Sequence, residues 1–421
     1  MSITFTKLDW ADPHLARIDL PKGTMRLTRS LASGLCQSVH DAPNVFWGVG
    51  DRGPNIKPRT AAKDYGCDHL LPLAEIDGAK VMPLPEAGPA IARFRIDGHR
   101  ILLEEVLELT DAQGQAIGGL PVPHGPHAEF EPIFDLSGTR LAPQSGGADS
   151  EGITALPDGS FWVSEEYGPS LLHVDRTGRV LMRWVPHGQA HCFAETHYPV
   201  LAVIPALASA RKLNRGFEAI AAAPDGASLL VAFQSPLAHP NREAHERSRH
   251  LRLWQLDATT GALLAEYVYP LDRAETFRRD AEAGDVKRDD LKVSEMIWTA
   301  DGTVLVLERI SLTTKIYAVR LSPDQAAPAA LADPATRPTL EQMSSRDLEQ
   351  VGIPILAKRL ILSTDDHPQV SADMEGMILL APDRLLLVND SDFGIEGAET
   401  QFWMAELGER IKLIAHSPRP S

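Results

Sequence analysis

The chain has 421 residues, with 41 lysines and arginines, 57 aspartates and glutamates, and a formal net charge of −16. An acidic balance of this size disfavours non-specific binding to nucleic acid or to an anionic membrane surface. Three scattered cysteines supply neither a disulfide framework nor a thiolate metal cluster.

The sequence offers no export or membrane signal, so we expect a cytoplasmic protein. Residues 1–20 contain charged residues and no apolar core of the kind found in signal peptides. No apolar stretch reaches the ~18 residues of a membrane span. The alternative is a secreted protein whose leader has been trimmed away.

One sequence unit recurs along the chain. In its clearest copy, Asp149–Glu166, a Glu precedes a short apolar run, an Asp-Gly turn follows, and a second apolar run ends in polar residues. Two apolar runs joined by Asp-Gly are typical of a β-hairpin. In the first copy Ser33 replaces the Glu. In chain order, the copies occupy residues 33–52, 149–166, 217–234, 294–309 and 374–390.

The spacing of the copies predicts an all-β fold, a single six-bladed β-propeller formed by residues 1–421 with short helical insertions. The gap after the first copy is long enough for another unit, and Ile91–Leu109 supplies strand-like runs around Asp97-Gly98. With that unit the copies start about 68 residues apart, which exceeds a compact blade and requires insertions. A radial array of four-stranded sheets accommodates such repeats. Five or seven blades remain alternatives.

Insertions are predicted between the later copies. Val203–Leu213 and Leu271–Val293 show helical spacing. The Ala/Pro-rich stretch Gln325–Pro338 is typical of a surface loop.

The polar ends of the repeats are predicted to meet on one face. A hairpin reverses direction, so residues before its first strand and after its second strand lie at the same end. The positions predicted to surround the axis are Glu151, Glu218, Glu295 and Glu375. The positions predicted further out are Asp51, Arg52, Glu165, Glu166, Gln234, Glu308, Arg309, Asn389 and Asp390.

Carboxylates that converge in this way repel one another, so either their pKa values rise or a cation lies among them. Oxygen ligands favour Ca²⁺, with Mg²⁺ the weaker candidate, because Ca²⁺ accepts many ligands in a flexible arrangement. The alternative interpretation is structural: each Glu caps a strand end by accepting backbone N–H groups, or pairs with an Arg. The residues alone leave both interpretations open.

Other motifs are present only in part. Gly48–Gly53 matches G-x-G-x-x-G, but Pro54 follows and no helix start does, so dinucleotide binding is not expected. His245 and His250 are one residue too far apart for H-E-x-x-H. A group of three histidines includes His191, a candidate substrate contact, with an exposed loop as the alternative.

Taken together, the repeated blocks resemble the phytase-like family, also described as "esterase-like activity of phytase". The resemblance covers about Ser33 to Phe393 and implies a β-propeller that hydrolyses phosphate or other esters, with kinship to calcium-dependent phytases. Met296 stands where the family pattern has Gly after the Glu, and no dense basic stretch is present to hold phytate itself. The blocks that carry the resemblance are Glu151-Gly152, Phe161–Pro169, Asn214–Glu218, Val304–Arg309, Glu375-Gly376 and Val388–Asp390.

The leading hypothesis from the sequence is a calcium-dependent hydrolase of phosphate mono- or diesters that uses a metal-activated water. Its small-molecule ester would be the only partner, and the sequence does not predict an oligomeric state. The alternatives are a lactonase or carboxylesterase of the calcium-propeller type, and a non-catalytic binding propeller stabilised by calcium.

This hypothesis assigns a role to each candidate residue. Either Glu165 or Glu166 is the general base, and Arg52 and Arg309 stabilise the developing anion. The predicted metal ligands are Glu151, Glu218, Glu295, Glu375, Asn389 and Asp390. The predicted substrate contacts are Asp51, Gln234, Glu308 and His191.

Overall fold

The computed structural model describes residues 3–123, 130–408 and 410–411. Most of its regular structure is β-sheet and its helices are short, which confirms the all-β class. The chain begins with β1 (Thr4–Leu8) and a two-stranded hairpin of β2 (His14–Leu20) and β3 (Gly23–Thr28).

Five sheets of four or five strands follow in the described residues, and each begins with one copy of the repeat. The strands around the first sheet are β4 (Gly34–Cys36), β5 (Val45–Val49), β6 (Lys80–Val81), β7 (Ala90–Asp97), β8 (Arg100–Glu108) and β9 (Ile133–Phe134). Of these, β4, β5, β7 and β8 form the sheet, and β6 pairs with β9 beside it.

The second sheet carries a fifth strand, which pairs in parallel with its neighbour. Its strands are β10 (Ser150–Ala155), β11 (Phe161–Glu165), β12 (Ser170–Val174), β13 (Val180–Pro186) and β14 (Val200–Ile204). The third sheet contains β15 (Phe217–Ala222), β16 (Ser228–Phe233), β17 (His250–Asp257) and β18 (Leu263–Pro270).

The last two sheets follow the same antiparallel plan. The fourth contains β19 (Lys292–Trp298), β20 (Thr303–Arg309), β21 (Thr314–Arg320) and β22 (Lys358–Ser363). The fifth contains β23 (Met374–Ala381), β24 (Arg384–Asn389) and β25 (Phe402–Glu406), and β1 pairs with β25 as its outermost strand.

The Asp-Gly turns form because each residue type satisfies a local requirement. Gly159, Gly226 and Gly302 adopt φ values of 92°, 71° and 79°, a region that glycine enters without steric cost. The carboxylate of the preceding Asp accepts the N–H group two residues further on, as Asp158 does from Ser160 at 2.9 Å. These contacts connect the innermost strand of a sheet to its second strand.

The innermost strands of the five sheets contact one another in a ring. Strand β10 contacts β4 and β15, β19 contacts β15 and β23, and β23 contacts β4. Neighbouring sheets also share apolar cores, and the core between the last and first sheets includes Leu8, Phe46 and Phe402. The repeats therefore lie side by side around one centre.

The predicted sixth unit is wrong. The runs on either side of Asp97-Gly98 form β7 and β8, which are the two outer strands of the first sheet. That hairpin carries the same turn signal as the repeat but no rim Glu, because it lies at the outer side of its sheet.

The insertions are shorter and more ordered than the sequence predicted. The α-helices are α1 (Pro58–Tyr65), α2 (Arg242–Arg247), α3 (Arg278–Ala283) and α4 (Ser345–Gln350). Turns of 3₁₀-helix occur at Asp68–Glu75, Ala190–Phe193, Ala206–Ala210, Ala274–Thr276, Arg288–Asp290, Pro323–Gln325, Ala329–Ala332, Leu340–Gln342 and, with a kink, Asp392–Gly397. The two helical insertions are thus confirmed as short turns.

The expectation of a surface loop at Gln325–Pro338 is wrong in part. Leu331 is buried there, and its carbonyl accepts a hydrogen bond of 3.0 Å from the buried Arg252. Arg252 also pairs with Glu266 and Glu341 at 2.6 and 2.7 Å, which fastens this insertion to the third sheet.

Candidate functional site

Three carboxylates meet where the second sheet faces the centre of the ring. Asp149 directly precedes β10, Glu151 is its second residue, and Glu166 directly follows β11. The hairpin brings both ends together, since the N–H of Glu166 donates to the carbonyl of Asp149 at 2.9 Å. One oxygen from each of the three side chains lies within 4.8 Å of the others. We call Asp149, Glu151 and Glu166 the axial acidic triad.

The pKa values of all three carboxyl groups of the axial acidic triad are raised. Burial raises the pKa of Asp149 to about 6, with further contributions from Glu131 and Glu165. Burial and the nearby carboxylate of Glu218 raise the pKa values of Glu151 and Glu166 well above the usual range. Neighbouring carboxylates in a desolvated site disfavour one another's ionised forms.

A cation suits this donor set. In the described part of the chain, Asp149 Oδ1 and Glu166 Oε1 are buried and have no hydrogen-bond partner. A buried, unpaired carboxylate oxygen is costly, whereas a hard divalent cation is bound by such oxygens. The triad would supply three of the about six to eight oxygen ligands that Ca²⁺ takes. The residues present therefore fit Ca²⁺.

Glu165 does not share this role, although it is the neighbour of Glu166. Its buried carboxylate accepts hydrogen bonds from the N–H of Tyr167 at 2.8 Å and the hydroxyl of Ser170 at 2.8 Å. It also forms an ion pair with the buried Arg183 at 3.0 Å. A carboxylate with this many donors holds the second sheet together and is not available as a general base.

Arg52 forms part of the wall behind the triad. Its Nη1 lies 2.5 Å from Glu131, 3.1 Å from Asp149 and 3.0 Å from the hydroxyl of Tyr167. The guanidinium group is buried. Its charge is thus already compensated by carboxylates, which leaves it to position Asp149 rather than to contact a substrate.

Glu218 lies next to the triad and faces a group of cations. Its oxygens accept hydrogen bonds from the amide of Gln234 at 2.7 Å and the hydroxyl of Ser294 at 3.3 Å. Burial raises the pKa of Glu218, and the positive charges of Arg309, Lys292 and Arg215 oppose that rise. Glu218 therefore lies between the acidic and the basic parts of the site, and Gln234 positions its carboxylate.

Arg309 is also fully engaged. It pairs with Glu375, with Asp373 at 2.9 Å, and with the hydroxyl of Ser294 at 2.9 Å. The pairing with Glu375 corresponds to the structural interpretation that the sequence left open. The charge of Arg309 is thus compensated by two carboxylates, and one oxygen of Glu375 is taken by Arg309.

Glu295 has the other structural role that the sequence left open. Its two oxygens accept the backbone N–H groups of Leu35 at 2.9 Å and Met296 at 3.0 Å. It is fully buried and links the innermost strands of the first and fourth sheets. The geometry contradicts its predicted role as a metal ligand.

Asn389 and Asp390, at the end of β24, have different surroundings. Asn389 donates to the carbonyls of Asp390 and Glu399 and accepts from the N–H of Gln401, so all of its polar atoms are engaged in holding the backbone after β24. Asp390 accepts from Ser30, and burial and Asp392 raise its pKa to about 6. The geometry places Asn389 in a structural role.

Asp51 belongs to the centre of the ring. Burial and the carboxylates of Asp149 and Asp390 raise its pKa well above the usual range. Its Oδ1 accepts the N–H of Gly53 at 2.8 Å. Asp51 and Asp390 therefore extend the axial acidic triad on the side of the first and fifth sheets.

Two predicted substrate contacts lie elsewhere. Glu308 is buried among Tyr269, Lys358 and the N–H of Asp272, between the third and fourth sheets. His191 is exposed in the 3₁₀-helix Ala190–Phe193. Neither residue joins the triad.

Sequence reasoning missed three residues of the site. Asp149 carries a signal, because it stands two residues before Glu151, and alternate residues of a strand share a face. Arg215 and Lys292 each lie two residues before the start of a copy, at Phe217 and Ser294, and therefore lie outside the repeated pattern. Contacts between β15 and β19 bring Lys292 close to Glu218 and Arg215.

The fold and the site define an all-β protein with an acidic centre. Its family is identified by a family model described as "Phytase-like: Esterase-like activity of phytase", which matches residues 33–393. The chain belongs to this phytase-like family. Among the described residues, no helix is long and apolar enough to cross a membrane.

One curated relative is a protein of Arthroderma benhamiae named "uncharacterized secreted protein". It is 25% identical over 293 residues, which is 63% of this chain and 54% of that protein. The chain thus spans about half the length of this relative. The name of the relative contradicts the cytoplasmic location expected from the sequence, and that expectation is withdrawn.

Solved structures show only remote likeness. A PQQ-bound aldose sugar dehydrogenase from Streptomyces coelicolor is 9% identical with a TM-score of 0.35, covering 96% of this chain and 98% of that chain. Regucalcin, a calcium-binding protein from Agrobacterium tumefaciens, is 11% identical with a TM-score of 0.34, covering 96% and 97%. A gluconolactonase from Xanthomonas campestris is 9% identical with a TM-score of 0.28, covering 76% and 68%. Likeness at this level carries no functional argument.

Proposed function

We propose that the protein is a Ca²⁺-dependent hydrolase of phosphate mono- or diesters, built as a single propeller domain whose five sheets are its blades. The observation that supports this function is the axial acidic triad, two of whose buried carboxylate oxygens have no hydrogen-bond partner among the described residues. The ring of contacts between the innermost strands supports the propeller. Membership of the phytase-like family supports ester hydrolysis.

Different residues of the chain would hold the cation and orient its ligands. Asp149, Glu151 and Glu166 would hold the cation, with Asp51 beside them. When bound, a divalent cation supplies Lewis-acid polarisation of an ester oxygen and a more acidic water. Arg52 fixes the orientation of Asp149 through their 3.1 Å contact.

Glu218 is the proposed proton acceptor. Of all charged groups, Glu218 has the strongest electrostatic effect on the pKa values of both Glu151 and Glu166. Its own pKa is raised, which brings that pKa closer to neutral pH. General-base catalysis is most effective when the pKa of the base lies near the working pH. Gln234 keeps the carboxylate of Glu218 oriented by donating from its amide at 2.7 Å.

The acidic net charge of −16 supports a small-molecule ester rather than a nucleic acid or a membrane as the partner. The secreted relative supports a site of action outside the cytoplasm.

The experiment that tests this function is a hydrolysis panel on chelator-treated protein, with and without added Ca²⁺. The substrates are 4-nitrophenyl phosphate, bis(4-nitrophenyl) phosphate, 4-nitrophenyl acetate and γ-butyrolactone. We expect Ca²⁺-dependent turnover of a phosphate ester, with activity lost in Glu151→Gln. Glu246→Gln removes the same charge from the exposed helix α2 and should retain the activity.

The panel also distinguishes the alternatives. Turnover of only the lactone or the carboxyl ester would replace the phosphate assignment by a lactonase or carboxylesterase. Ca²⁺ binding without turnover of any ester would replace the enzyme by a calcium-stabilised binding protein.

A further inference from the structure

Among the described residues, two half-buried cations beside Glu218 form no ion pair. Arg215 stands two residues before β15, and Lys292 is the first residue of β19. In the described ranges, neither reaches a carboxylate within the 4.0 Å of an ion pair. Buried cations are ordinarily paired, because a desolvated charge without a partner is costly.

The fold holds these two cations side by side. Arg215 donates to the carbonyls of Leu291 at 3.4 Å and Asp289 at 3.3 Å, which places its guanidinium next to the start of β19. The strand register sets Lys292 opposite Arg309, whose own charge is compensated by Asp373 and Glu375. The excess positive charge therefore belongs to Arg215 and Lys292.

The pKa values of Lys292 and Arg215 are both lowered, as expected where positive charge is in excess. The positive charge of Arg309 and burial lower the pKa of Lys292 to about 8, and Arg215 contributes to the same shift. Burial lowers the pKa of Arg215, while the carboxylates of Glu166 and Glu218 oppose that shift. The carboxylates of the acidic centre thus affect the pKa values of Arg215 and Lys292 without forming an ion pair with either residue.

We propose that Arg215 and Lys292 form the subsite that binds the non-bridging oxygens of a phosphate monoester dianion. This inference rests on the proposed function, because it assigns the substrate's charged group to the basic side of Glu218 and the cation to the acidic side. An anion between the two cations removes their mutual repulsion and forms charge-assisted hydrogen bonds. The subsite would thereby favour a dianionic monoester over a diester or a neutral ester.

The test measures binding of phenylphosphonate, a dianion without a scissile ester bond, by calorimetry on Ca²⁺-loaded protein. We expect Lys292→Gln and Arg215→Gln each to weaken binding by about tenfold or more, as expected for loss of a charged hydrogen bond. Arg215→Lys should weaken it less than Arg215→Gln. Lys63→Gln is the control, because it removes one positive charge from the exposed last turn of α1, and it should leave binding unchanged.

Separate Ca²⁺ titrations of the same proteins distinguish this inference from the proposed function. Ca²⁺ affinity should be unchanged or higher in Lys292→Gln, because a like charge has been removed. If Ca²⁺ binds and phenylphosphonate affinity is the same in all variants, the subsite is refuted while the hydrolase remains. If Ca²⁺ does not bind the parent protein, the proposed function fails, and weaker phenylphosphonate binding by Lys292→Gln still supports the anion subsite. Melting temperatures near that of the parent show that each variant is folded.

Discussion

The neighbours Glu165 and Glu166 show how two identical side chains acquire opposite roles. Glu165 is enclosed by Arg183, Ser170 and backbone N–H groups, whereas Glu166 has a buried oxygen with no hydrogen-bond partner in the part of the chain that the structure describes. We predict that Glu166→Gln weakens Ca²⁺ binding at least tenfold but leaves the Ca²⁺-free protein as stable as before or more stable, because it removes one of the repelling charges. Calcium titration and thermal melting in chelator measure the two effects.

Glu165→Gln should do the reverse. It leaves the buried guanidinium of Arg183 without its counter-ion, which costs about 3–5 kcal/mol of stability. The melting temperature should fall with and without Ca²⁺. Equal stability losses for the two variants would contradict the separation of roles.

His245 gives the protein a pH dependence unrelated to the site. It is fully buried, its Nδ1 lies 2.6 Å from the carbonyl of Pro236, and burial lowers its pKa to about 4. In the unfolded chain His245 binds a proton near pH 6.5, whereas in the folded chain it stays neutral down to about pH 4. The free energy of unfolding should therefore fall as pH drops from about 6.5 to about 4, by on the order of 3 kcal/mol. His245→Asn can keep the hydrogen bond and does not titrate. Urea unfolding should show a shallower pH slope for this variant, and identical slopes would refute the assignment.

Part of the site could be read from the repeat, and part could not. The position before each inner strand predicted Glu151 and Glu218 at the centre, because strand starts in equivalent hairpins meet at one end. The same rule also predicted Glu295 and Glu375 as metal ligands, although both oxygens of Glu295 accept backbone N–H groups and one oxygen of Glu375 pairs with Arg309. Which Glu remains free is decided by contacts between sheets, and these join residues far apart in sequence.

The innermost strands need small residues because they converge on the acidic centre. A Cβ atom on Gly34 in β4 would lie 2.6 Å from the carbonyl oxygen of Glu151 and 2.7 Å from the Cα of Gly152. Both are backbone atoms of β10, so they cannot move aside as a side chain would. Gly152 is confined in the same way, because a Cβ atom there would lie 2.5 Å from the carbonyl oxygen of Glu218. The glycine of the Glu151-Gly152 pair therefore reflects close packing of strands.

We predict that Gly34→Ala lowers stability by about 1–3 kcal/mol, the usual cost of overpacking. It should also reduce Ca²⁺ affinity, because relief of the clash displaces the backbone of Glu151. Gly284→Ala is the control: its backbone is extended with φ of 174°, and a Cβ there would meet nothing within 4 Å. Denaturant unfolding and calcium titration of both variants test this, and equal behaviour would contradict the packing argument.

Hairpins could be predicted from the sequence, but the number of sheets could not. The Asp-Gly turns recur because turn chemistry is local. The hairpin at Asp97-Gly98 shows the same local signal, yet it lies at the outer side of the first sheet. Its place in the sheet depends on the pairing of β5 with β7 across an insertion of about 40 residues that contains α1, and no local pattern reports such a pairing.

At the scale of the whole molecule, the first and last strands among the described residues are joined in one sheet. Strand β1 pairs with β25, from Thr4 with Glu406 to Leu8 with Phe402. The same seam contains a core in which Leu8 packs with Phe46 of the first sheet and Leu386 of the last. Because every neighbouring pair of sheets shares apolar residues, a defect at this seam loosens the last sheet from the first.

We therefore predict that Leu8→Ala lowers the stability of the entire ring by about 2–5 kcal/mol, the usual cost of such a cavity. Unfolding should remain a single transition, with far-ultraviolet circular dichroism and tryptophan fluorescence changing together. Leu264→Ala, at a side chain that is 55% exposed in β18, should change stability by less than ~0.5 kcal/mol. If Leu8→Ala instead produced a first transition confined to part of the chain, the sheets would be independent units, and closure by β1 would not be what stabilises the ring.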